Sequence, residues 1–452
     1  MRAGPAREAA LKVLTDCRRR NAWADAALRS RTGDLSPADA ALCTRMVYGV
    51  IQNRMLLDYD LRAYCTQNLE KLQPPLREIL QLGAYQILFL DRVPDRAAVD
   101  TSVELAKSAG RPRAAGLVNA VLRKLSACRD HLPPLPEDPI EALSLWYSHP
   151  LWLTARLVDL LGVEEAEAFL ASDNGTPPLE VQANPLRTSP EALAAEWQAA
   201  GIEARPHPWV PGCLELTGAG DVTALPAFRE GRCLVQDPAA RLAVLLADLS
   251  PGQAVLDLCA APGGKAFGAA MAVGETGTVL ACDINGSKLR HVREGAKRLG
   301  LDGILQTREA DGREFHPEWA EKFDAVLVDA PCSGLGVIRK KPDIRDKDPA
   351  ALAGLPAVQA ALLDNAARYV RPGGTLLYST CTILPEENEN IAEAFLSVHG
   401  EFVPFPFTLP NGEGPYFCTT LWPQRHGTDG FFLCRTRKRT PGGHRQRDEA
   451  SS

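Results

Sequence analysis

Residues 252–265, Gly-Gln-Ala-Val-Leu-Asp-Leu-Cys-Ala-Ala-Pro-Gly-Gly-Lys, constrain the fold more than any other stretch of the chain. Ala254 to Leu258 is a short apolar run interrupted once, by Asp257, which is the pattern of a strand buried in a parallel sheet. The run stops at Pro262-Gly263-Gly264, and a helical pattern begins near Lys265. Strand, glycine turn and helix make the opening unit of a doubly wound sheet, where ligands bind beyond the carboxyl ends of the strands. Glycine lets the backbone approach a ligand with no Cβ in the way, and the helix start offers unpaired N–H groups to an anion. Two nucleotide loops are excluded. A triphosphate-binding loop needs Gly at position 259 and Ser or Thr at 266, where this chain has Cys259 and Ala266. The dinucleotide pattern fails because position 261 is Ala.

From Gly252 the alternation of strand and helix is regular. Strands are expected at 254–258, 278–284, 304–310, 323–330 and 374–380, with closing strands at 402–407 and 431–435. Helices are expected over 287–299 and 349–370, and another starting at Pro385 with Glu386 and Glu387 in its first turn. Gln236-Asp237-Pro238 leads into a helix expected over 239–249. This α/β domain is placed at residues 236–437, and the Lys/Arg/Gly-rich tail 438–452 is expected to be disordered.

The front of the chain is of another kind. Residues 1–130 carry apolar residues at helical spacing in 6–20, 76–90, 97–109 and 113–127, and Ser36-Pro37 caps a helix through Asn53. Residues 131–148, with four prolines, read as a linker. Residues 149–235 read as a small α+β region: helices at 152–161, 163–170 and 189–200, and strands at 179–183, 214–217 and 233–236. The net charge of −6 hides an asymmetry. About 21 Lys and Arg face about 14 Asp and Glu in residues 1–130, so the front is basic and the remainder acidic. The twelve cysteines contain no C-x-x-C pair, which argues against a structural zinc and against a disulfide framework; no metal is expected. No uncharged apolar run is long enough to span a bilayer, and no signal-peptide core opens the chain, so a cytoplasmic monomer with no membrane partner is expected.

The string Asp257-Leu-Cys-Ala-Ala-Pro-Gly-Gly-Lys265 resembles the first motif of RNA cytosine-C5 methyltransferases of the Nop/Sun family. Asp329-Ala-Pro-Cys-Ser-Gly334, Tyr378-Ser-Thr-Cys-Thr382 and the closing Thr428-Asp-Gly-Phe-Phe432 extend the resemblance. It implies an α/β Rossmann-like class I methyltransferase domain with S-adenosylmethionine as cofactor, held by Cys259, Ala260, Ala261, Pro262, Gly263, Gly264 and Lys265. The front resembles the NusB antitermination fold through Ala10-Leu-Lys-Val-Leu14, Val47-Tyr-Gly-Val50, Leu82-Gly-Ala-Tyr-Gln-Ile-Leu88 and Gly116-Leu-Val-Asn-Ala-Val-Leu-Arg-Lys124. That implies an all-α, NusB-like N-terminal RNA-binding domain; a bundle used only for protein contacts is the alternative. The combination implies methylation of one cytidine of 16S rRNA, as naked RNA or in a small-subunit assembly intermediate. A tRNA methyltransferase and a non-catalytic rRNA-binding assembly factor are the rival readings.

Three acids end successive strands. Asp283, about 20 residues past the glycine turn, suits the ribose hydroxyls; a helix cap is its bland alternative. Asp311, by resemblance, faces the adenine amino group; otherwise it is a turn residue. Asp329 needs a partner or a purpose, because a bare buried carboxylate is costly. Carbon 5 of cytosine is too electron-poor to take a methyl group directly, and covalent addition of a thiolate at C6 makes it nucleophilic. Spacing leaves open whether Cys332 or Cys381 attacks. The resemblance assigns attack to Cys381 and product release to Cys332, with Asp329 at cytosine N3. Attack needs a thiol pKa below the usual value, through Lys265 or a helix dipole. Arg339, Lys340, Lys341 and Arg345 form a basic loop suited to phosphates around a base lifted out of its stack. The family often carries an aromatic after Asp-Ile-Arg, where this chain has Asp346, so a stacking role there is not expected.

Overall fold

The computed structural model describes residues 3–20 and 22–441. The tail expected to be disordered lies outside them from residue 442 onward; Lys438, its first residue, ends a strand.

The front is helical: Pro5–Arg20, Ala24–Thr32, Pro37–Gln52, Arg54–Tyr64, Leu76–Phe89, Asp95–Ser108 and Ala115–Ala127. Ser36 caps the third, its hydroxyl accepting from the Asp39 N–H at 3.2 Å, and Pro37 occupies the first turn, where no intrahelical donor is needed. Ala24–Thr32 and Arg54–Tyr64 are additions to the expected set. Asn53 serves as C-cap of one helix and N-cap of the next, so no glycine or proline marks the break. The bundle closes over Val13, Met46, Val47, Leu57, Leu61, Ile79, Leu80 and Leu122, all buried.

The expected linker is corrected. Residues 139–146 form a helix, with Asp138 accepting from the N–H groups of Ile140 and Glu141 at 2.9 Å each. Pro139, which suggested a linker, sits in the first turn, where proline is pre-organised for a helix. Leu151–Leu161 and Val163–Asn174 follow. The chain divides into two compact units: Met1–Gly175 with Ile338–Lys347, and Thr176–Val337 with Asp348–Ser452. The two helices expected in an intermediate region therefore belong to the first unit, as does the basic segment after Val337.

The second unit holds two sheets. Strands β1 (Leu179–Ala183), β2 (Glu203–Pro206), β3 (Cys213–Thr217) and β4 (Cys233–Val235) form an antiparallel sheet in the order β2-β3-β1-β4. Leu193 and Trp197 of helix Pro190–Ala199 pack on it beside Val181 and Leu214. Its seam with the larger sheet carries polar contacts: the buried Asn184 donates to the carbonyls of Gly231 at 2.9 Å and Leu299 at 3.1 Å, and Arg298 to those of Phe228 at 2.6 Å and Cys233 at 2.9 Å.

The larger sheet contains β5 (Ala254–Asp257), β6 (Thr278–Asp283), β7 (Leu305–Glu309), β8 (Phe323–Asp329), β9 (Val370–Thr380), β10 (Phe402–Pro404), β11 (Cys418–Leu421) and β12 (Phe431–Lys438). The order is β10-β12-β9-β8-β5-β6-β7, with β11 also on β12. Strands β5 to β9 are parallel and β12 is antiparallel to β9. The order reverses between β5 and β8, so the crevice for a ligand lies at the carboxyl ends of those two strands. Three expected elements differ. The helix expected over 349–370 is two, Pro349–Leu352 and Leu355–Ala367, because Gly354 and Pro356 restart it, and Val370 opens β9. The helix expected from Pro385 begins as a single tight turn and continues only from Glu389. The strand expected over 402–407 stops at Pro404, since Pro404 and Pro406 have no N–H for a ladder.

Candidate active site

Strand β5 delivers Asp257 to the crevice, fully buried. Burial pushes its carboxyl up to about 7, the charge of Asp329 adds to the rise, and Lys265 opposes it. The turn that follows is shaped by glycine. Gly263 has φ 117°, and a Cβ there would lie 2.4 Å from Cζ of Phe267. Helix Gly264–Val273 starts at once, with Lys265 in its first turn. The turn is tied to the neighbouring strand: Ala260 N–H donates to the Cys282 carbonyl at 2.7 Å, and Ala261 N–H to Asp283 Oδ2 at 3.2 Å.

Asp283 also accepts from Asn285 N–H at 2.8 Å, but the cap of the next helix is Asn285, which accepts from Ser287 and Lys288. The helix-cap alternative for Asp283 therefore falls. Asp311 lies two residues past the end of β7 and is bridged by Arg313, Nη2 to Oδ2 at 2.6 Å; that guanidinium holds its carboxyl below the usual range.

Asp329 ends β8 opposite Ser379 of β9. Its Oδ2 lies 2.7 Å from Lys265 Nζ, and its Oδ1 accepts from Ser379 Oγ at 3.0 Å. The same ammonium sits 4.8 Å over the ring of Phe431. Because β8 and β9 are neighbours in register, the loops after them bring Cys332 and Cys381 together, with sulfurs 3.1 Å apart. The two thiols are unequal. The hydrogen bond with Cys332 lowers the Cys381 pKa, Lys265 helps, and burial with Asp329 and Asp429 opposes. Cys332 is pushed well above its ordinary value, first by that same bond and then by burial. Cys259, in the first motif, is also pushed well up by burial.

Three positions lie outside the expected site set, and two of them, Glu387 and Gly430, hold these loops. Glu387 is buried, and its Oε2 accepts from Ser333 N–H at 2.9 Å and from Gln359 Nε2 at 2.8 Å. Thr382 donates to its other oxygen at 3.4 Å and shares a 2.6 Å hydrogen bond with Ser333. Glu387 thus clamps both cysteine loops, where sequence reading placed it only as a first-turn acid. Gly430, in the closing motif, donates its N–H to the Gly336 carbonyl at 2.8 Å. A Cβ on Gly336 would lie 1.9 Å from the Gly430 carbonyl oxygen, so the two backbones meet where no side chain fits. Asp257 completes the trio; its signal was a charge inside an apolar strand.

The basic loop requires correction. Arg345 is buried at 2% exposure within the first unit, its guanidinium donating to the carbonyls of Gln52 at 2.9 Å and Ser148 at 3.1 Å and to Asn174 Oδ1 at 3.0 Å. A guanidinium so committed is a structural anchor and has no donor face for phosphate. Arg339 is buried as well, Lys340 is half-buried and Lys341 is exposed. Among the described residues, no helix is long and apolar enough to cross a membrane.

Three family descriptions match the chain: the NusB family at residues 4–127, an RsmF/B-like ferredoxin-like domain at 149–223, and the 16S rRNA methyltransferase RsmB/F at 243–437. The probable ribosomal RNA small subunit methyltransferase B of Bacillus subtilis (strain 168) is 34% identical over 451 residues, covering 97% of this chain and 100% of the relative. The protein of the same description from Synechocystis is 36% identical, covering 96% and 99%. The crystal structure of PH0851 superposes with a TM-score of 0.81 at 28% identity, over 96% of this chain and 99% of that one. S-Adenosylmethionine is the family's cofactor. The glycine turn that opens a helix N-terminus beside the unpartnered amide of Gln236, and the acid ending β6, fit it. The chain belongs to the ribosomal RNA small subunit methyltransferase B family.

Proposed function

We propose that this protein methylates carbon 5 of one cytidine in 16S rRNA through a transient bond between Cys381 and C6 of the base. The observation that supports it is the pair of thiols 3.1 Å apart beside the Lys265–Asp329 ion pair, with thiolate favoured on Cys381 and proton on Cys332.

The Cys381 thiolate adds to C6, and the electron pair displaced from the C5–C6 bond makes C5 nucleophilic as N3 takes a proton or a hydrogen bond. Asp329 is the group proposed at N3; for a carboxyl to donate there it must carry a proton, and transfer from Lys265 across their 2.7 Å contact can supply it. The bound cofactor supplies an electrophilic methyl group. Once C5 carries that methyl, a base removes the C5 proton, the double bond re-forms and the thiolate leaves. Cys332 is the proposed assistant of that last step, its sulfur lying 3.1 Å from the departing one.

Residues 259–265 and Asp283 are the proposed cradle of the cofactor. Asp311 is proposed at the adenine amino group, since a carboxylate has about four acceptor positions and Arg313 leaves some open. Lys340 and Lys341 remain proposed phosphate contacts. Cys381→Ala should abolish methyl transfer to 16S rRNA while retaining cofactor binding. Cys332→Ala should accumulate a covalent protein–RNA species, seen as a retarded band on a denaturing gel. Full activity of Cys381→Ala would remove the assignment, and transfer to purified tRNA in place of rRNA would redirect the substrate.

A further inference from the structure

Gln236 stands between β4 and the helix Pro238–Leu246 and is only 7% exposed. Neither its Nε2 nor its Oε1 has a hydrogen-bond partner in the protein. A buried amide left without partners is destabilising, so its retention calls for a reason. Its direction supplies one: Nε2 lies 3.1 Å from where a Cβ on Gly264 would be, beside the first turn of the helix that opens after the Pro-Gly-Gly turn.

The backbone around Gln236 is fixed from three sides. Its own N–H donates to the Glu180 carbonyl at 3.2 Å. The next residue, Asp237, caps its helix through Ala239 N–H at 2.8 Å, and accepts from Asp429 N–H at 3.2 Å. A side chain held this way presents its amide in one place, which is what a recognition residue needs.

We infer that Gln236 binds the amino-acid end of the sulfonium cofactor, a reading that rests on the cofactor assignment above. A primary amide offers donors on nitrogen and an acceptor on oxygen. The methionyl end of the cofactor offers the complement, a carboxylate and an ammonium. The carboxylate suits the unpaired N–H groups of the adjacent helix start as well as Nε2, and the ammonium suits Oε1. An adenosine end would leave the helix start without an anion.

Two nucleosides separate the contact from a packing role: S-adenosylhomocysteine, which carries the amino-acid end, and 5′-methylthioadenosine, which lacks it. Binding of each to the full chain is measured by calorimetry. Gln236→Ala should weaken S-adenosylhomocysteine by about tenfold to a hundredfold. It should leave 5′-methylthioadenosine unchanged within about twofold, which also shows that the variant folds. Gln236→Met, melted without either nucleoside, should unfold no lower than the parent, because the amide has no partner to lose. Equal weakening of both nucleosides, no weakening of either, or a lower melting point for Gln236→Met overturns the inference. Failure of the unaltered protein to bind either nucleoside overturns instead the cofactor reading beneath it.

Discussion

Cys332 differs from Cys381 less in position than in what its proton does. The hydrogen bond between the two sulfurs, read with Cys332 as its donor, is the largest influence lowering the Cys381 pKa, ahead of the Lys265 charge. Cys332→Ala removes that donor, so the pH at which Cys381 reacts with iodoacetamide should move upward, and at neutral pH its alkylation should slow. Mass spectrometry of the alkylated peptide gives the rate at each pH. Asp257 carries a second prediction. Its carboxyl titrates at about 7 in the folded chain against 3.8 ordinarily. The folded state therefore keeps a proton that the unfolded chain releases, and stability from this residue is present below about pH 4 and is lost as pH rises to about 7. Asp257→Asn lacks that loss. The melting temperature of the Asn variant, relative to the parent, should increase steadily from about pH 4 to about pH 7 and then level off.

At the scale of elements, the loop between β8 and the strap at 338–347 is held by backbone meeting backbone. Gly336→Ala would set a methyl group against the Gly430 carbonyl, at a distance no packing adjustment short of a loop shift can relieve. Overpacking of this kind costs about 1–3 kcal/mol, to be read from urea unfolding, and activity should fall further than stability because the Cys381 carbonyl accepts from Gly336 N–H at 3.0 Å. The central strands β5, β8 and β9 of the larger sheet were readable because parallel strands buried on both faces carry near-continuous apolar runs. Asp329, Cys332 and Cys381 were readable because they close such runs. Strands β2 and β11 were not: Glu203-Ala-Arg-Pro and Cys418-Thr-Thr-Leu are short, partly exposed edges whose pairing comes from tertiary context. Arg345 misled for a related reason. A cluster of cations in sequence says nothing about carbonyls converging on one of them from residues 52, 147, 148 and 174. Glu387 and Gln236 lay outside any periodic signal, since their work is polar and local.

For the whole molecule the decisive fact is that the first unit is discontinuous in sequence, taking its last ten residues from 338–347. Within that unit Asp343 accepts from Ala24 N–H at 3.1 Å, and Arg345 satisfies carbonyls from two separate stretches. A chain trimmed to residues 176–452 keeps the strap but none of these partners. Trypsin should then cut it at Arg345, a site buried in the full chain, and a time course on both forms, read by mass, checks this. The same interleaving bears on synthesis. A ribosome adding about 5–20 residues per second releases residue 175 well before residue 347, so the leading helices wait on the order of ten seconds or more for their final segment. Throughout that interval the carbonyls of Gln52 and Ser148 must be hydrated, and the nascent helical unit completes itself only after the Pro-Gly-Gly turn at 262–264 has already been made.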